Sequence, residues 1–375
     1  MGAEQEIKFY AVGDVCVLRD DPDSYFTLSA STIQEADIAF CQLETNYSER
    51  GAPQFVGRVP LRGHPRNAVA IKNAGFNVVS FATNHCGDWG HDALLDTIDV
   101  LKENDLEVVG VGSNIAEARA PVIVEKEGTK VAFLSYCSIL PYRYWAEEER
   151  PGCAPLRGFT VYEQEETDQP GTPATVHSFT NREDLEAMKA DIKKVRPFAD
   201  IVIVSHHGGL HFVPAQIPDY QREVAHTAID AGADLILGHH AHILKGIEVY
   251  KGKVIFYSLC NFGFDLELPE KVLQSHRFKV LMELNPNWEI DTDYPTYPFP
   301  ADSRKTILVK CLISDKRIQG VSFLPVYINK KGQPEVLKAE DERCREVFDY
   351  MNWVCKEVGF DTRLSLEGGE VAIDI

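Results

Sequence analysis

The sequence predicts an α/β fold, and two observations carry that prediction. Short β-branched runs alternate with helical periodicity, and the runs end in polar residues that punctuate the chain at regular intervals. The runs fall at 7–12, 38–43, 78–81, 131–136, 201–204 and 235–237. Between them Leu94, Ile98 and Leu101 share one helix face, Leu185, Met188, Ile192 and Val195 a second, and Val224, Ala228 and Ala231 a third. Gly75 and Gly232 stand where helix C-caps belong. After Glu248 the pattern changes to a hairpin, in which Lys251-Gly252 turns the chain between two β-branched segments.

Composition sets the outer limits. With 375 residues and 44% hydrophobic side chains, the chain can bury a large core as one domain with insertions or as two. The expected division is a main domain over 1–325, with insertions near 140–180 and 265–305, and a C-terminal extension over 326–375 whose helix packs on the domain. Both insertions are placed to form lids. No run reaches the roughly 18 apolar residues of a membrane span, and the first residues lack a signal-peptide pattern. Nine scattered cysteines with no CxxC pair suit reduced thiols. These features together give a cytoplasmic expectation.

The net charge of −19, from 57 acids against 38 bases, disfavours nucleic acid or an anionic membrane as the main partner. A small-molecule or peptide-like substrate is expected, with homo-oligomerisation left open. An anionic substrate would need local cations, from a metal or a few arginines.

Where the polar residues fall is the informative point, because α/β sheets bind ligands beyond the carboxyl ends of their strands. The runs are followed by Gly13-Asp14, Glu44, Asn84-His85, His206-His207, and Gly238-His239-His240-Ala241-His242. Singly, each has a plainer reading as a cap, a turn former or a structural histidine. Together at one sheet edge, carboxylate, amide and imidazole suit one or two divalent ions of Zn, Mn, Fe or Co. In an extended loop His240 and His242 lean to the same side. His239 is assigned a supporting role behind the ligands.

These stretches resemble the CapA family of poly-γ-glutamate capsule synthesis proteins. The resemblance runs through Ala11-Val12-Gly13-Asp14, Gln42-Leu43-Glu44, Asn84-His85-Cys86-Gly87-Asp88, His206-His207-Gly208, Gly238-His239-His240-Ala241-His242 and Phe256-Tyr257-Ser258-Leu259-Cys260-Asn261-Phe262. It covers about residues 7–265. It implies a four-layer α/β/β/α sandwich of two mixed sheets with helices outside, similar to the calcineurin-like metallophosphoesterases. It also implies that Asp14 binds one metal, Glu44 bridges two, Asn84 and His206 bind the second, and His240 and His242 divide between them. His85 would give a proton or hydrogen bond to developing charge, and Asp88 would orient it, unless Asp88 caps the next helix. Arg58 and Arg62 are candidate substrate cations.

Three departures from the pattern stand out. Asp14-Val15-Cys16 replaces the metallophosphoesterase Asp-x-His, so the first metal lacks an imidazole, although CapA proteins share this lack. Leu210-His211 stands where an acid is common, making His211 a candidate ligand or acid. No membrane anchor is evident, whereas CapA proteins often carry one. The expected activity is a metal-dependent hydrolase acting on a phosphoester or an amide such as a γ-glutamyl linkage. The alternatives are a polyglutamate synthesis factor assisting amide formation or polymer transfer, and a binding protein on an inactive enzyme fold.

Overall fold

A computed structural model of the chain describes residues 6–54, 59–285 and 288–375. The α/β class holds, built on two large mixed sheets. In the larger, parallel strands Ile7–Cys16, Ile38–Leu43, Val78–Ser80 and Glu107–Val109 lie side by side. On its other edge Ile7–Cys16 pairs antiparallel with Lys305–Ser314, which leads on to Arg317–Ile328 and to the C-terminal hairpin of Leu364–Glu367 and Glu370–Ile373. In the smaller sheet Thr129–Cys137, Ile201–Gly208, Leu235–His240 and Lys253–Phe256 run parallel. Val122–Lys126 and Ile247–Tyr250 close its two edges antiparallel.

The strand period of two assigns the faces. Ile7, Phe9 and Ala11 of the larger sheet share one apolar cluster with Val131, Phe133, Ile201, Ile203, Leu235 and Leu237 of the smaller. The opposite face of the larger sheet, through Tyr10, Ala39 and Val79, packs on Ile71 of helix Ala68–Ala74 and Leu94 of helix His91–Glu103. Val202, Val204 and Ile236 of the smaller sheet meet Met188 and Ile192 of helix Arg182–Val195, and Val224 and Ala228 of helix Asp219–Ala231. Gly75 and Gly232 do end their helices in the left-handed conformation. The hairpin at Lys251-Gly252 forms with positive φ at both residues, the turn whose twist suits antiparallel strands.

The two segments expected to be insertions contain regular structure. Gly158–Glu163 and Thr175–Thr180 make a separate, largely exposed hairpin. The 265–305 stretch carries helices Glu270–Leu273 and His276–Leu284, then buries Tyr294, Tyr297 and Phe299 against Cys16, Leu61 and Phe264. Helix Glu342–Glu357 seals the shared cluster with Val347, Met351 and Val354. Among the described residues no helix is long and apolar enough to cross a membrane.

Candidate metal centre

The carboxyl ends of the parallel strands from both sheets converge on one buried point. Asp14 reaches it through an irregularity in its strand, where pairing with Ile38–Leu43 shifts register between Ala11 and Asp14. Such a bulge re-aims a side chain. Gly13 makes it possible, since a Cβ there would lie 1.9 Å from the Cys260 carbonyl oxygen. The Asp14 N–H instead donates to that oxygen at 2.9 Å. Glu44 follows its strand directly, Asn84 sits in the turn after Val78–Ser80, and His240 ends Leu235–His240.

His240 and His242 converge by a different route from the extended loop expected. Both have positive φ, +86° and +54°, so the backbone coils after the strand and turns both rings inward. A non-glycine residue held there costs on the order of 1–3 kcal/mol, a cost often found at functional sites.

Two candidate ligand triads result. Glu44, His207 and His240 form one, Asp14, Glu44 and His242 the other, and in each the ligand atoms lie within 4.8 Å of one another. All five side chains are buried. In the first triad His207 Nε2 is 3.3 Å from Glu44 Oε1. Asn84 Oδ1 joins it, 2.6 Å from His207 Nε2 and 2.9 Å from His240 Nδ1. In the second, His242 Nδ1 is 3.5 Å from Asp14 Oδ2, and its Nε2 is 3.9 Å from Glu44 Oε2.

The donor set fits divalent cations. Asp14 and Glu44 are fully buried acids, and buried charge requires compensation. Among the described residues Asp14 Oδ1 accepts no hydrogen bond and no Lys or Arg pairs with Asp14. Burial, with the neighbouring imidazoles of His239, His242, His85 and His211, pushes His207 well below its usual pKa. A neutral His207 offers a lone pair rather than a counter-charge, which is what a metal ligand must do.

The structure puts His207 at the cluster where the sequence reading named His206. Alternation explains the difference: His207 shares the inward face with Ile201 and Ile203, whereas His206 shares the helix-covered face with Val202 and Val204. His206 Nε2 instead meets the Ser138 hydroxyl at 2.7 Å, and burial pushes its pKa down to about 3. The run 201–204 is apolar on both faces, so the sequence carried no alternation to choose between adjacent histidines.

His239 lies behind Asp14, its Nδ1 3.5 Å from Oδ1. The His211 ring is 4.0 Å from that of His240 and 5.1 Å from that of His242. Cys16 is turned away, its thiol 4.0 Å from the Asp265 carbonyl and raised in pKa by burial. Asp88 does not cap the helix that follows it, because Gly90 occupies the N-cap of His91–Glu103. Its Oδ2 lies 2.6 Å from His85 Nδ1 and accepts from the Leu61 N–H, while Tyr144 donates to Oδ1. Arg62 is exposed, its guanidinium 3.6 Å above the Trp89 ring. Arg58 lies outside the described residues. Asn261 belongs to a sequence motif that gave it no role, yet its Oδ1 is 2.7 Å from His242 Nδ1.

Comparison with known proteins adds the family. The family model described as bacterial capsule synthesis protein PGA_cap matches residues 8–266, well over half the chain. The chain belongs to this capsule synthesis family. The PGA biosynthesis protein CapA of Bacillus subtilis is 31% identical over 245 residues, 65% of this chain and 57% of that protein. The capsule biosynthesis protein CapA of Bacillus anthracis is 34% identical over 207 residues, 55% and 44% of the two chains. A probable polyglutamine synthesis accessory protein of Mycobacterium tuberculosis is 30% identical over 237 residues, 62% and 56%. The chain thus spans about half the length of the curated relatives it matches. Among solved structures, a hypothetical protein from Thermus thermophilus aligns over 85% of this chain and 98% of its own, at 15% identity and a TM-score of 0.46.

Proposed function

We propose that this member of the family is a metal-dependent hydrolase acting on a phosphoester or an amide, including a γ-glutamyl linkage. The observation that carries the reading is the membership of Glu44 in both triads, the arrangement needed to hold two cations side by side. On this reading the face-to-face sheets with helices on their outer faces form a four-layer metallophosphoesterase-like sandwich. Asn84, His207 and His240 would hold one cation with Glu44, and Asp14 and His242 the other. A divalent pair would supply positive charge that acidifies a water and, by polarising a carbonyl or phosphoryl oxygen, makes the attached carbon or phosphorus more electrophilic. His85, held in orientation by Asp88, gives a proton to the departing oxygen or nitrogen. Arg62, rigid on Trp89, fixes a carboxylate or phosphate of the substrate.

Assaying the purified protein with Mn, Zn or Co against phosphoesters and γ-glutamyl amides tests this. Turnover of one class, lost on chelation and restored by metal, is expected. Fully metal-loaded protein that cleaves neither class contradicts it.

A second reading, a factor assisting polyglutamate synthesis, is favoured by the names of the relatives. It predicts ATP-dependent amide formation between glutamates, which the hydrolase reading does not.

A further inference from the structure

We propose that a hydrogen-bond relay from Ser303 through Tyr297 and Asn261 fixes His242 with its proton on Nδ1 and its lone pair on Nε2. Asn261 and Tyr297 are thereby positioning residues for the cation site. The inference rests on the metal reading above.

The direction of the relay follows from its far end. A backbone carbonyl can only accept, so the Tyr297 hydroxyl, 2.6 Å from the Ser303 oxygen, must donate to it. With its single proton used, that hydroxyl can only accept from the Asn261 side chain 2.9 Å away. Asn261 must therefore present Nδ2 to Tyr297 and Oδ1 to His242. Reversing the amide would leave two oxygens facing each other with no hydrogen between them, at a site where every member is buried. Oδ1, 2.7 Å from His242 Nδ1, then requires a proton on that nitrogen. The lone pair falls on Nε2, the atom 3.9 Å from Glu44 Oε2.

The surroundings keep this setting in place. Burial holds the Tyr297 phenol well above its ordinary pKa, so it remains a donor. The rings of Phe264 and Phe299, 5.4 and 5.2 Å from His242, restrict the imidazole from turning over. Partners of this kind fix the tautomer and orientation of metal-binding histidines, and losing them typically costs about 10- to 100-fold in metal affinity.

The test is a long-range ¹H–¹⁵N correlation spectrum of the metal-free protein labelled at histidine, with His242 assigned by its absence in His242→Gln, followed by titration with Zn, Mn and Co ions. Wild type is expected to show an Nδ1-protonated His242. Tyr297→Phe and Asn261→Leu should redistribute the tautomers and weaken metal binding about 10- to 100-fold. An unprotonated Nδ1 in wild type overturns the relay, as does a folded Tyr297→Phe with unchanged tautomer and affinity. A wild type with the expected tautomer but no metal binding would uphold the relay and remove the metal reading.

Discussion

At the residue scale, the centre depends on which of two adjacent histidines faces inward. His207→Ala should weaken divalent metal binding by more than the roughly 100-fold that a lost outer partner costs, whereas His206→Ala should leave metal binding near wild type and lower stability through the lost Ser138 contact. Calorimetric metal titration of both variants checks this, and equal losses would contradict it. The His85–Asp88 pair allows a second separation. Asp88→Asn should keep the metals but lower kcat by about 10²–10⁴, the usual range for general acid–base catalysis, and alter the pH–rate profile. An unchanged profile would reduce Asp88 to a purely structural acid. Much of this clustering was legible in the sequence, because Asp14, Glu44, Asn84, His240 and His242 each follow a recognisable strand. The choice between His206 and His207 was not, since their strand is apolar on both faces. Nor was the relay, because Tyr297 lies 36 positions from Asn261 and only folding joins them.

At the scale of elements, two devices hold the strand ends together. Gly13 lets one strand press against the backbone at Cys260, and Gly13→Ala would drive a methyl into that carbonyl, with neighbouring backbone unable to yield. A loss of at least about 1–3 kcal/mol in urea unfolding is expected. A variant as stable as wild type would show the close approach to be dispensable. Lys245, buried three residues after His242, donates to the carbonyls of Val213 and Gln216 and so ties down the loop that carries His211. Burial lowers its pKa from 10.5 to about 7. Between those values the unfolded chain holds one more proton than the native one, so this lysine makes stability rise with pH, by at most about 1.4 kcal/mol per unit. The stability of wild type minus that of Lys245→Met should therefore climb between pH 7 and pH 10, and a flat difference would contradict the assignment. The hairpin at Lys251-Gly252 and the caps at Gly75 and Gly232 were readable beforehand, as local turn chemistry is. The left-handed coil at His240 and His242 was not, because tertiary packing imposes it on residues that rarely adopt it.

At the scale of the whole molecule, a chain of net charge −19 places the proposed cation site at the meeting of two sheets. Long-range repulsion of an anionic substrate should be screened as salt rises, so kcat/KM for such a substrate should increase between about 10 and 150 mM salt, where the Debye length falls from about 30 to 8 Å. A decrease would locate a basic approach surface that the charge balance does not suggest. The alternating runs made the α/β class legible, whereas the pairing of Lys305–Ser314 beside Ile7–Cys16 depends on contacts across nearly the whole chain. The central claim, two cations sharing Glu44, is tested most directly by equilibrium metal titration with elemental analysis of wild type and Glu44→Gln. The account predicts two divalent ions per chain in wild type, and neither held tightly in the folded variant. Wild type that binds no divalent ion, or a variant that keeps both, would contradict it.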